Sequence, residues 1–83
     1  MAAARLAPMP ADELRRVETL THRIGELTQQ RELAIARAID SGASWSEIAK
    51  SLGCSPQAAH QRYRWLRYSR ATGAVWHERP LPL

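Results

Sequence analysis

The 83-residue sequence predicts an all-α fold, with a long N-terminal helix that leads into a C-terminal tri-helical unit. Residues 11–40 contain no proline and one glycine, and they are rich in good helix formers. Pro10, Asp12 and Glu13 mark the start of this helix. At 1.5 Å per residue it is a rod of about 45 Å. Two further helical segments with clear start and stop signals follow it.

The long helix has an apolar face that needs a partner. Its a and d positions recur at the spacing of a helix that packs on another helix: Val17, Leu20, Ile24, Leu27, Arg31, Ala34 and Ala38. A second stripe lies beside the first and makes the apolar face broad, which suits a helical bundle or a crossed dimer better than a long slender coiled coil. It consists of Leu14, Thr21, Thr28, Ile35 and Ile39. The three-helix unit is too short to cover the N-terminal half of this face, so the sequence predicts a homodimer. The expected dimerisation residues are Val17, Leu20, Ile24 and Leu27. Alternatively, Gly25 breaks the rod into two antiparallel helices that pack within one chain.

The segment from Ser44 to Pro56 has the start and stop signals of two helices joined by a tight turn. Ser44 and Glu47 have the spacing of a capping box, and Gly53 is a stop signal. Ser55 is a second N-cap, and Pro56 occupies the first helical position, where its missing N–H is no loss. The sequence therefore predicts a helix-turn-helix unit over residues 44–72.

The second helix of this unit, predicted to run from about Pro56 to Arg70, has two different sides. Ala59, Tyr63 and Leu66 share one side and can pack, whereas polar donors share the other. Gln pairs with adenine and Arg with guanine in the major groove, while flanking Arg side chains suit phosphates. The predicted DNA-binding residues are Ser55, Gln57, His60, Gln61, Arg62, Arg64, Arg67 and Tyr68.

Charge is distributed unevenly along the chain. Residues 1–47 carry a net charge of −1, residues 48–83 carry +5, and no acidic residue occurs from Cys54 to Val75. A positive field without neutralising acids around the second helix attracts a polyanion. Eleven of the twelve cations are Arg, which suits bidentate and stacked contacts. The expected partner is double-stranded DNA, bound with low to moderate sequence specificity.

The run SWSEIAKSLGCSPQAAHQRY resembles small actinobacterial helix-turn-helix proteins, in particular nucleoid-associated ones with an N-terminal dimerisation helix. The resemblance covers about a quarter of the chain. It implies DNA binding by the start and outward face of the second turn helix, which here means Ser55, Gln57, His60, Gln61 and Arg64. The same run also resembles the turn motifs of sigma-factor and resolvase modules. The resemblance therefore leaves a chromosome organiser and a promoter-specific regulator both open.

Enzyme chemistry has no support in the sequence. The three histidines are far apart, no His, Cys, Asp or Glu spacing matches a metal site, and no phosphate-binding glycine loop occurs. We therefore expect no catalytic residue, cofactor, metal or small-molecule substrate. The lone Cys54 suits a reducing cytoplasm, and we expect it to pack in the core.

The two ends of the chain carry weaker signals. Residues 1–10 are neither a signal peptide nor a membrane span, and they are predicted to be a flexible arm. Residues 73–83 are predicted to be an extended tail in which Trp76 tucks against the domain or serves as a handle for another protein. The location expected is the cytoplasm and its nucleoid. The alternative function is an adaptor or sigma-factor-like module acting through the N-terminal helix and Trp76.

Overall fold

The computed structural model describes residues 10–80, which form three helices and a two-stranded antiparallel hairpin. The elements in chain order are α1 (Ala11–Asp40), α2 (Trp45–Leu52), α3 (Pro56–Tyr63), β1 (Leu66–Tyr68) and β2 (Val75–His77). The bounds predicted for α1 are confirmed, and the helix runs through Gly25 without a break. The alternative in which Gly25 reverses the chain is therefore not the conformation seen. The predicted arm, except for Pro10, and residues 81–83 of the predicted tail lie outside the described residues.

The prediction of an all-α fold is wrong, because the segment after α3 forms a hairpin. The helix ends at Tyr63 instead of continuing to Arg70, and the predicted extended tail contributes β2. Leu66, Arg67 and Tyr68 pair with His77, Trp76 and Val75 respectively. Leu66 is buried, and the segment is rich in aromatic residues, which favour strands when one side packs on a core. Tertiary packing therefore overrides the helical pattern in this segment.

The turn of the hairpin spans residues 69–74 and is held by its own polar groups. The Ser69 N–H donates to the Ala74 carbonyl at 3.0 Å, and the Gly73 N–H donates to the Ser69 carbonyl at 2.7 Å. Gly73 has a φ of 73°, in the left-handed region that glycine enters without a steric cost. Two short β-prone runs around a glycine-containing loop are the sequence signal of a hairpin.

The hairpin lies against the C-terminal part of α1. His77 Nε2 is 3.0 Å from Glu32 Oε2, and Arg70 Nε donates to Asp40 Oδ2 at 2.6 Å. Asp40 raises the pKa of Arg70 through this hydrogen bond. The first contact is a hydrogen-bond contact, and an exposed ion pair such as the second contributes about 0–1 kcal/mol, so these contacts orient the hairpin more than they stabilise the fold.

The core is small and lies at one end of the molecule. It consists of Ile35, Ala36, Ile48, Ala49, Ala59, Tyr63 and Leu66. It includes Ala59, Tyr63 and Leu66, which were predicted to pack, and Ile39 and Leu52 are partly buried against it. Residues 11–27 are all exposed. The radius of gyration is 19.2 Å, against about 12 Å for a compact chain of this length, because α1 projects beyond the core.

The capping box of α2 is confirmed, and it links folding to pH. The Glu47 N–H donates to Ser44 Oγ at 3.1 Å, and the Ser44 N–H donates to Glu47 Oε1 at 2.8 Å. These hydrogen bonds lower the pKa of Glu47 below its ordinary value of 4.5. A lowered pKa in the folded state means that the ionised carboxylate contributes stability above pH 4.5, and that this is lost as the pH falls through the lowered pKa.

Glu47→Gln is therefore expected to lower the Tm at pH 7, because the amide cannot supply the charge that favours a helix N-terminus. The difference in Tm between the two proteins should shrink as the pH falls below about 4. Thermal unfolding followed by circular dichroism at a series of pH values measures this. A Tm difference that stays constant down to pH 2 would contradict the assignment.

Candidate nucleic-acid interface

Helix α3 is held in a fixed rotation by its caps and its buried side. Gly53, with a φ of 76°, ends α2, and Ser55 Oγ then accepts the Ala58 N–H at 3.1 Å. Ala59 and Tyr63 are 1% and 2% exposed, so this side of α3 faces the core. The opposite side of α3 must therefore face outward.

Three polar residues share that outward side. Gln57, Gln61 and Arg64 are four and three positions apart, which aligns them on one side of a helix of 3.6 residues per turn. We call these three the recognition strip. All three side chains are exposed, and neither glutamine amide is hydrogen-bonded within residues 10–80. The strip thus presents two amides and a guanidinium, which are the groups that read adenine and guanine edges.

His60 and Arg62 flank the recognition strip. The His60 ring meets the Trp45 ring edge-on, with centroids 5.2 Å apart, and this contact turns it toward α2. The Arg62 guanidinium lies 5.5 Å from the centroid of the Tyr63 ring, on the other side of the strip. Both side chains are exposed. Ser55 is also exposed, and its hydroxyl oxygen accepts the hydrogen bond that caps α3.

Arg67 and Tyr68 lie in β1, not on a continued α3, so they do not extend the helical row of the recognition strip. Arg67 donates to the carbonyls of Arg64 and Leu66 at 3.0 and 3.1 Å, and its Nε is 3.6 Å from Glu78 Oε2. Tyr68 packs against the core, with its Oη 3.4 Å from Arg37 Nε on α1. These two side chains are already engaged within the chain, which corrects their predicted position on a helix.

Lys50 on α2 is a cation that is not among the predicted DNA-binding residues. Ile48 and Ala49 are buried, and Lys50 lies on the exposed side of α2. It has no acidic partner within 4 Å in the described part of the chain, and the same holds for Arg62 and Arg64. The sequence carries the signal for this position, because Lys50 lies two residues after the apolar Ile48 and therefore on the opposite side of a helix.

The four predicted dimerisation residues lie in one line on the projecting part of α1. Val17, Leu20, Ile24 and Leu27 are between 44% and 64% exposed, and Leu14 beside them is 52% exposed. Nothing within residues 10–80 covers this face.

The remaining expectations concern Cys54, Trp76 and metals. Cys54 is exposed, not packed in the core, because the left-handed Gly53 turns the chain outward at that point. Trp76 lies in β2 and is 43% exposed. Residues 10–80 contain no cluster of three or more His, Cys, Asp or Glu that could hold a metal ion. Among the helices described, none has the length and apolarity needed to cross a bilayer.

Comparison of the chain with protein families, curated proteins and solved structures finds no match.

The cap of α3 offers a test of how this surface is held. Ser55→Ala removes the acceptor for the Ala58 N–H and is expected to lower the free energy of unfolding by about 1 kcal/mol. Ser46→Ala is a matched control, because Ser46 is exposed on α2 and caps nothing. Urea unfolding measures both. Equal stability of the two variants would show that this cap does not hold α3.

Proposed function

We propose that the protein binds double-stranded DNA as a homodimer, with the recognition strip of each copy in the major groove. The observation that carries the proposal is the pairing of a buried side and a donor-bearing side on α3. Ala59 and Tyr63 hold the helix in one rotation, so Gln57, Gln61 and Arg64 point away from the core together. A preorganised helix loses little conformational freedom when it enters a groove.

Charge supports the same partner. Arg62 and Arg64 lie at the exposed side of α3, Lys50 is exposed on the neighbouring α2, and Glu78 is engaged by Arg67. Three cations in each copy are suited to phosphates or guanine, and two glutamines offer the remaining base contacts. Such a small set of base-reading groups favours low to moderate specificity, with much of the affinity coming from phosphates. A nucleoid-associated protein or a transcriptional regulator of the bacterial cytoplasm fits this balance, in line with the family resemblance.

The apolar face of α1 supports a homodimer. Two copies that pair through Val17, Leu20, Ile24 and Leu27 would remove these side chains from water and present two recognition strips to one duplex. Linking two weak contacts raises the overall affinity through effective concentration.

The salt dependence of binding tests the proposal. If each copy neutralises about three phosphates, log K for a duplex should fall with log salt at a slope near −5, taking roughly −0.9 per contact. Fluorescence anisotropy with a random-sequence duplex between low and moderate salt measures the slope. A slope near zero would exclude the electrostatic interface.

The second candidate function is a protein adaptor, and the exposure of Trp76 favours it. A half-exposed tryptophan on a hairpin is a typical anchor for a protein partner. A gel shift separates the two functions, because the adaptor would leave random duplex DNA unshifted even at low salt. If DNA is bound, a genome-wide occupancy map distinguishes an architectural protein, with thousands of weak sites, from a regulator with few.

A further inference from the structure

We propose that the second copy lies antiparallel on α1, so that the N-terminal half of each α1 enters the groove between α1 and α2 of the other copy. This inference rests on the homodimer of the proposed function and specifies its geometry. Three observations support it: a groove in line with the exposed apolar face, large side chains in one half of that face and small ones in the other, and the position of one arginine.

The groove lies between the last turns of α1 and the whole of α2. Its volume is about 310 Å³, and its apolar lining comprises Ala34, Ile35, Ala38, Ala43, Ile48 and Leu52. The alanines leave the groove open because they are too small to fill it from within. It is therefore a site that larger apolar side chains would complete.

The groove continues the exposed apolar face. Arg31, Ala34 and Ala38 line it, and they occupy the same a and d row as Val17, Leu20, Ile24 and Leu27. One stripe thus runs along α1 with large exposed residues in its N-terminal half and small groove-lining residues in its C-terminal half. Among residues 10–80 of a single copy, nothing covers the large residues and nothing fills the groove.

An antiparallel pair would cover the exposed large residues of one copy and fill the groove of the other at the same time. With the centre of the pair between Gly25 and Glu26, Val17 of one copy lies opposite Ala34 of the other, and Ile24 lies opposite Leu27. The adjacent stripe then brings Leu14 of one copy beside Ile35 of the other, at the wall formed by α2. At the groove, the larger Val17 thus meets the small Ala34, while Ile24 and Leu27 cover one another at the centre of the pair, an arrangement of large against small that helps to fill the groove.

A parallel pair in register would instead place like residues together. Ala34 and Ala38 would face their own copies across the groove and leave it underfilled. Arg31 would face Arg31 within an apolar seam, where like charges repel. In the antiparallel pair Arg31 lies opposite Leu20, about 16 Å along the axis from the other Arg31. Its aliphatic stem can cover Leu20 while the guanidinium reaches water.

The size of the interface is sufficient. Leu14, Val17, Leu20, Ile24 and Leu27 are each roughly half exposed. Two copies would together bury on the order of 1,000 Å², where specific interfaces begin. The pair also holds the two cores about 30 Å apart along the rod, taking the core residues of α1 as the reference. This is close to one turn of DNA, the spacing of two half-sites for a dimer of this motif.

Disulfide cross-linking in a Cys54→Ser background tests the orientation. Val17 and Ala34 are exposed, so single and double cysteine replacements there should leave the helix content by circular dichroism unchanged. The variant with both V17C and A34C is expected to form a covalent dimer on mild oxidation, seen on a non-reducing gel. V17C alone should not, because the two copies of residue 17 would be about 25 Å apart, far beyond the reach of a disulfide. The same distance excludes a bond within one straight helix.

Efficient cross-linking of V17C alone would show a parallel pair and overturn the inference. A dimer by light scattering that cross-links in neither variant would also overturn it. DNA binding by the cross-linked dimer is measured separately. A covalent antiparallel dimer that does not bind DNA would refute the proposed function and leave the pairing intact. If the cross-linked protein binds DNA as tightly as the parent protein, the result supports both the antiparallel pairing and the proposed function.

Discussion

Replacing Ile24 and Leu27 with Asp is expected to convert the protein to a monomer. Both side chains are more than half exposed in the single chain, so the substitution should not disturb its core. In the dimer each charge would enter an apolar seam, where an unpaired buried charge costs several kcal/mol, and the copies escape this cost by dissociating. Light scattering at micromolar concentration measures the change.

The same double variant should bind DNA about 100-fold more weakly, because each copy then loses the effective concentration that its partner supplied. Thr19→Asp with Gln29→Asp is a matched control, since it adds the same charge to exposed positions of α1 outside the apolar face. A monomeric variant that still bound DNA as tightly as the parent would refute the mechanism in which both copies of a dimer bind one duplex. A parent protein that is itself monomeric at high micromolar concentration would refute the dimer.

Arg64→Ala is expected to produce the largest loss of DNA affinity among the single substitutions. Arg64 stands at the end of the recognition strip, with its guanidinium 5.1 Å from the centroid of the Trp65 ring. This stacking holds the planar group in place, and losing a bidentate contact to guanine costs about 1–3 kcal/mol per copy. Binding should therefore weaken at least about tenfold. Arg64→Lys should restore only part of the loss, because an ammonium lacks the fork geometry.

Two controls locate the interface. Arg16→Ala removes an exposed arginine from the projecting part of α1, and it should change DNA affinity little. Arg67→Ala should also have a smaller effect than Arg64→Ala, because Arg67 is engaged by Glu78 and two carbonyl groups. Anisotropy titrations at one fixed salt concentration compare the variants. Equal losses for Arg64→Ala and Arg16→Ala would show that the interface is assigned to the wrong helix.

Local chemistry in the sequence was sufficient to predict much of the helical framework. The bounds of α1 follow from helix propensity and from the Pro10, Asp12 and Glu13 start, and they agree with the structure. The capping box, Gly53 and the Ser55 cap also depend on residues within a few positions of one another. Such short-range signals need no knowledge of the rest of the chain.

What followed Tyr63 was decided by tertiary structure. The apolar spacing of Ala59, Tyr63 and Leu66 suits a continued helix, yet Leu66 reaches the same core from a strand that pairs with residues 75–77. The stability of this strand pairing depends on packing against α1. A helical wheel drawn from the sequence contains no information about such packing. The hairpin in turn places Arg67 and Tyr68 on a strand, not on the helix that carries Gln57 and Gln61.

Short-range signals specify where α1, α2 and α3 begin, where α1 and α2 end, and which residues face outward on α3, because caps and helical periodicity act over one or two turns. Tertiary structure decided the hairpin, the pairing of Arg70 with Asp40 and the groove beside Ala34 and Ala38. Each of these joins segments far apart in the chain. Their stability comes from surfaces that meet only after folding.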